Sequence, residues 1–217
     1  MYYDSGERES EQRSEALGIW GIANLSAENW RLMRQGWDHP AGNLSSSMKT
    51  LPDYLRKGMK MVLVGANPGD RSARVGHYYA GRNNHFWPIL YESGVIPEPL
   101  GYEDDRRMVE FGIGMTDLVK RPTRGIEEIE RQEFAEGRVL LAQKLEDLRP
   151  KVIAFNGKMV YEKFTGRPCK LGLQKERLYG AHVFVLPSTS AQNAGTTLSV
   201  KKRYFKQLAT LLKSLKD

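Results

Sequence analysis

Four short stretches of this 217-residue chain hold the side chains from which chemistry can be built. The first is Gly65-Ala66-Asn67-Pro68-Gly69-Asp70-Arg71-Ser72. Gly and Pro let the backbone turn sharply there, and a helix starting beyond the turn would aim N–H groups at an anion. The stretch is neither a GxGxxG fingerprint nor a phosphate loop ending in GK[ST], so alone it reads as a strand-to-helix turn. The second is Gly76-His77-Tyr78-Tyr79-Ala80-Gly81-Arg82-Asn83-Asn84-His85-Phe86-Trp87. Aromatics interleaved with Arg, Asn and His suit stacking on a flat base and hydrogen bonding to its edge. Phe86 and Trp87 read as core, which leaves Tyr79 as the stacking candidate. The third, Gly112-Ile113-Gly114-Met115-Thr116-Asp117-Leu118-Val119, ends an apolar segment on an acid. An acid so placed can orient or deprotonate a water, although a bare Asp in a turn is more often a cap. The fourth is Leu186-Pro187-Ser188-Thr189-Ser190-Ala191-Gln192-Asn193-Ala194-Gly195. Its uncharged hydroxyls and amides suit phosphate contacts, and a small polar loop also suits a groove-penetrating wedge.

Three continuous apolar runs lie along the chain, Met61–Ala66, Val152–Phe155 and Val183–Leu186, the first and last of them leading into the first and fourth stretches. Unbroken rather than alternating hydrophobicity marks strands covered on both faces, as in a parallel sheet. Each run stops in a small polar loop, at Asn67, Asn156 and Pro187 respectively. Helical patterns lie between and after them. Phe134, Leu141, Leu145 and Leu148 share one face before Pro150 stops the helix, and Tyr204, Leu208, Leu211, Leu212 and Leu215 form a second stripe. Lys201, Lys202, Arg203 and Lys213 are expected mostly off that stripe. Alternating strands and helices predict an α/β fold with a largely parallel sheet and one ligand crevice outside the carboxyl ends of the strands.

Composition narrows the partners. Lys and Arg number 33 against 26 Asp and Glu, a net charge of +7. The first 18 residues carry a net −3, so the remainder carries +10. A body that basic suggests a polyanion, with nucleic acid ahead of a membrane surface. The single Cys169 excludes an intramolecular disulfide and multi-cysteine metal sites, and fits a reducing cytoplasm. No apolar run approaches membrane-spanning length, and the N-terminus lacks a basic patch followed by an apolar stretch, so no secretory signal is expected. Residues 1 to 18 read as a mobile polar tail, and 19 to 217 as a single domain. Trp20, Trp30 and Trp37 are expected to pack on its body.

Taken together and in this order, VGANPGDRSARVGHYYAGRNNHFWPILYESG, GIGMTDLVKRPT, EFAEGRVLLAQKLEDLRPKVIAFNGK and LPSTSAQNA resemble the mismatch-specific uracil/thymine DNA glycosylases, the thymine-DNA glycosylase and Mug branch of the uracil-DNA glycosylase superfamily. The resemblance spans about residues 51 to 212. It implies a three-layer α/β/α fold, no metal, no cofactor, a monomer, and double-stranded DNA with a mismatched or deaminated base as partner. Localisation would be cytoplasmic and nucleoid-associated in a prokaryote, nuclear in a eukaryote.

The resemblance also assigns roles. Asn67 would position the water that attacks the anomeric carbon, in a base pocket of Gly65, Ala66, Tyr79 and Asn84, with Tyr79 stacked on the extruded base. Lys158, Ser188 and Ser190 would hold phosphates, Thr189, Ala191 and Asn193 would line the same DNA contact, and Gln192 would enter the duplex behind the flipped nucleotide. Three positions depart from the branch: Gln192 replaces the usual arginine wedge, Tyr78 a second histidine, and Asp117 an asparagine or lysine. An amide has no usable pKa, so Asn67 can only orient water, and a carboxylate at Asp117 within about 3 Å of it would add general-base or cation-stabilising help. Backbone N–H groups near Gly65–Ala66 and in the 188–192 loop would stabilise the departing base. Rival readings are a non-catalytic mismatch-binding module, a free-nucleoside hydrolase, for which no DxDxxxDD cluster exists, and a nucleotide-binding module without its Gly-rich fingerprint.

Overall fold

The computed structural model describes residues 50–191 and 195–215. The expected tail, the three tryptophans, Gln192 and Asn193 lie outside the described residues.

The apolar runs become strands β1 (Met61–Gly65), β3 (Val152–Asn156) and β5 (Ala181–Leu186), and the third motif becomes β2 (Ile113–Asp117). Every residue of β1, β2 and β3 is buried, as strands covered on both faces require. The sheet order is β2-β1-β3-β5-β4, parallel throughout except for β4 (Gly172–Leu178), which pairs antiparallel with β5 at one edge.

Alternate strand residues feed two separate cores. Met61, Leu63, Met115, Ala154 and Phe184 meet helices α2 (Phe86–Glu92) and α5 (Leu198–Ser214) on one face. Val62, Val64, Ile153, Phe155 and Val185 meet α3 (Arg131–Leu148) and α4 (Lys158–Thr165) on the other. The result is the expected three-layer α/β/α arrangement. Burying each large apolar side chain contributes about 1.5–3 kcal/mol, so both faces hold the sheet. Phe86 and Trp87 are core residues, as expected. Lys201 corrects the reading of α5: it is buried, because it lies three residues before Tyr204 and seven before Leu208 on the same stripe.

A short helix α1 (Asp70–Val75) and a 3-10 helix (Tyr102–Phe111) fix the turn between them. Asp105, fully buried on the 3-10 helix, accepts from the Tyr78 N–H at 2.8 Å, meets His77 Nδ1 at 3.1 Å and accepts from the Tyr54 hydroxyl at 3.3 Å. On the α1 side, Ser72 Oγ accepts from the Ala80 N–H at 3.0 Å and Arg71 Nε donates to the Ala80 carbonyl at 2.7 Å. These bonds hold Tyr79 at φ +54°, a left-handed conformation that a non-glycine residue keeps only when its surroundings over-determine it.

Candidate active site

Parallel strands place their C-terminal ends on one side of the sheet, and a cavity of about 760 Å³ opens there. Gly65 ends β1, Asp117 ends β2, Asn156 ends β3, and Pro187–Ser190 follow β5; all line it. Ala66, Asn67, Tyr79, Asn84, Lys158 and Ala191 line it too. The strand topology thus brings together all the described residues that the sequence singled out for catalysis, base binding and DNA contact.

Asn67 is oriented by what its amide nitrogen touches. Nδ2 donates to Thr123 Oγ1 at 2.7 Å, to the Arg121 carbonyl at 3.0 Å and to the Pro68 carbonyl at 3.3 Å. Carbonyls only accept, so two of those partners fix which end of the amide faces them. Oδ1 is left as the acceptor at the cavity. Thr123 completes the latch: it is buried, and its hydroxyl donates to the Gly125 carbonyl at 2.7 Å while accepting from Asn67. Nothing in sequence spacing pairs residues 56 apart. Thr123→Val keeps the volume but leaves the Asn67 amide and the Gly125 carbonyl without that partner, at a cost of about 1–3 kcal/mol. Turnover of Thr123→Val is expected to fall roughly tenfold with little change in substrate affinity, and Thr123→Ser should restore most of it; single-turnover kinetics with a binding isotherm check both.

Asp117 and Tyr79 form the floor. A Cβ added at Gly65 would stand 2.1 Å from Asp117 Oδ1 and 3.1 Å from the Tyr79 hydroxyl, so only glycine lets these groups close on the strand end. Asp117 is 5% exposed, and burial, opposed by Lys120 and reinforced by Asp53, pushes its carboxyl up to about 7. Tyr79 stacks on Phe86 with ring centroids 3.8 Å apart, and its buried hydroxyl makes no hydrogen bond, with Asn156 its polar side-chain neighbour. Burial and then the nearby Asp117 raise that hydroxyl's pKa, which keeps it neutral. Tyr78 is buried and donates to the Pro52 carbonyl at 3.1 Å.

The sequence pattern of the uracil DNA glycosylase superfamily matches residues 52–213. The chain belongs to the uracil DNA glycosylase superfamily. Its fold is similar to the solution NMR structure of a Methanosarcina acetivorans protein described as a candidate uracil DNA glycosylase, with a TM-score of 0.54 and 22% identity over 76% of this chain and 98% of that one. Membership makes the chain a DNA glycosylase by class, a hydrolase whose partner is DNA.

In this superfamily member the remaining sequence-derived residues take distinct places. Asn84 Oδ1 accepts from the Phe86 N–H at 3.1 Å and so also begins α2. Lys158 is the first residue of α4, half exposed, with Glu162 one turn on at 3.9 Å. Gly157, at φ +124°, turns β3 into that helix beside Ser188. Ser188 and Ser190 are half-buried and Ala191 is exposed.

Thr189 departs from expectation. It is fully buried, its N–H donates to Asn156 Oδ1 at 3.3 Å and its Oγ1 accepts from Asn156 Nδ2 at 3.1 Å. It braces the loop from behind instead of offering its hydroxyl outward. The expected anion donors of that loop are also committed, since the Ser190 N–H donates to Ser188 Oγ at 3.3 Å and the Thr189 N–H to Asn156. Sequence reasoning thus missed Asn156 as the brace of the last loop, Thr123 as the latch of Asn67 and Asp105 as the anchor of the Tyr79 turn. Among the described residues no cluster of three or more His, Cys, Asp or Glu is placed to hold a metal.

Proposed function

We propose that this chain removes uracil from mispaired duplex DNA as a monofunctional glycosylase of the mismatch-specific uracil/thymine branch. The observation that carries the reading is the Asn67 amide: its nitrogen is tied to Thr123, Arg121 and Pro68, which leaves the oxygen of this cavity-lining residue as its acceptor. The motifs GHYYAGRNNHFW and PSTSA support the branch.

A stacked base is unreachable, so the nucleotide is extruded into the cavity at a cost of a few kcal/mol, least for a weakened G·U pair. The ring of Tyr79, backed by Phe86, offers the extruded base a stacking face. Asn67 Oδ1 accepts a hydrogen bond from water and aims its lone pair at the anomeric carbon. Water bonds that carbon as the N-glycosidic electron pair leaves with the base. Lys158, Ser188 and Ser190 at the cavity edge take the flanking phosphates.

Two measurements test this. Released free uracil, with the strand cut only after alkali, identifies a monofunctional glycosylase; cutting without alkali contradicts it. Duplex affinity should also fall roughly 100-fold between about 50 and 200 mM salt, as about four phosphate contacts require. A flat salt response would remove phosphates from the binding account.

A further inference from the structure

Beside an extruded base, Asp117 has two roles open to it: taking a proton from the attacking water, or giving a hydrogen bond to the base. We propose that Asp117, with the Tyr79 hydroxyl beside it, is the specificity-determining contact of the cavity, its carboxyl donating to a carbonyl oxygen of the departing uracil. The inference rests on the proposed uracil removal and deepens it.

The placement argues first. Asp117 and the Tyr79 hydroxyl converge on Gly65 at the cavity floor. The Tyr79 hydroxyl is buried without a hydrogen bond, with Asn156 its polar side-chain neighbour, and the nearly buried Asp117 carboxyl lines the same cavity. A buried hydroxyl left open beside a carboxyl at one spot is costly until a ligand's polar edge meets it.

The surrounding charges argue second. On its own loop, Lys120 is bonded to Asp53 and Thr116. Asp53, on the segment before β1, is negative and disfavours a second charge. From the 76–79 turn come Tyr78 and Tyr79, both held neutral by burial. A smaller cavity on the other side of Asp117 is lined by Arg121, Glu133, Glu136 and Lys144, of which Arg121 pairs with Glu133 and Lys144 with Asp53. Lys120, the cation that acts on the carboxyl, is itself tied to Asp53, and burial outweighs it in a rise to about 7. Bound phosphates and the negative charge gathering on the base raise it further.

The chemistry argues third. A carboxylate would repel the departing anion, whereas a carboxylic acid stabilises it through the uracil oxygen whose electron density grows as the bond breaks. Asp117 keeps its proton throughout. The C1′–N1 electron pair leaves with the base, the water oxygen bonds C1′, and the water's proton passes to solvent.

The test is single-turnover uracil release from a G·U duplex between about pH 5.5 and 8.5. In the wild type the protonated form is active, so the rate should be flat in acid and fall about tenfold per unit well above neutrality. Asp117→Asn keeps a donor at every pH: we expect a rate about threefold lower in acid, no pH dependence, and a crossover above the wild type in alkali. Tyr79→Phe should slow release about tenfold without moving the profile. A wild-type rate that rises with pH, with Asp117→Asn inactive, would make Asp117 the water's base and overturn the proposal. A profile without inflection that Asp117→Asn leaves unaltered would also overturn it. No uracil release by the wild type at any pH would instead sink the functional reading itself.

Discussion

Asn67→Ala is expected to lose base release by at least about 100-fold while duplex binding stays within a few-fold of the wild type. The side chain contributes an oriented acceptor and nothing that holds the duplex, since its nitrogen is spent on Thr123, Arg121 and Pro68. Alanine leaves the Arg121 and Pro68 carbonyls without that donor but keeps the Thr123–Gly125 bond, so the loop should survive. Single-turnover release beside a binding isotherm separates the two effects. Full activity in Asn67→Ala would remove the water-positioning role.

Gly65→Ala is the second large effect, and it acts through space. The new methyl would stand 2.1 Å from Asp117 Oδ1, far inside contact distance, with the Tyr79 hydroxyl at 3.1 Å on its other side. Asp117 can yield only by rotating into the cavity or toward the smaller one behind it, and Tyr79 is wedged against Phe86. Either movement closes the floor on which the base must lie. The expected result is a loss of base release of about 100-fold, because a misplacement of about 1 Å at a reacting centre costs that much. The fold should persist, since Gly65 keeps its strand pairing to Asp117 on β2. A crystal structure or thermal melt of the variant beside its single-turnover rate checks both halves, and an active Gly65→Ala would mean that the base does not approach the strand end.

The elements that the sequence made legible are those whose burial is uniform. β1, β3 and β5 each carry an unbroken apolar run, Met61–Gly65, Val152–Phe155 and Val183–Leu186, because helices cover both faces. β4 went unseen: Gln174, Lys175, Glu176 and Arg177 lie on an edge strand with one neighbour, largely exposed, and no period of two survives in their types. The 3-10 helix Tyr102–Phe111 was equally hidden, since Asp105 and Met108 are its only buried residues. The site divides the same way. Asn67, Tyr79 and Asp117 stand out as polar or aromatic breaks at the ends of apolar runs. Their supports do not, because Thr123 under Asn67, Asp105 under the Tyr78–Tyr79 turn and Asn156 under Thr189 are long-range side-chain contacts. Even so, the first polar residue after each buried strand was a sufficient guide to the cavity.

The most direct test of the account is base release from three labelled duplexes that differ at one pair, G·U, G·T or A·U, developed by alkaline cleavage. The account predicts release from G·U ahead of the other two. Tight duplex binding with no release from any pair would contradict it and make the chain a mismatch-binding module on a glycosylase fold.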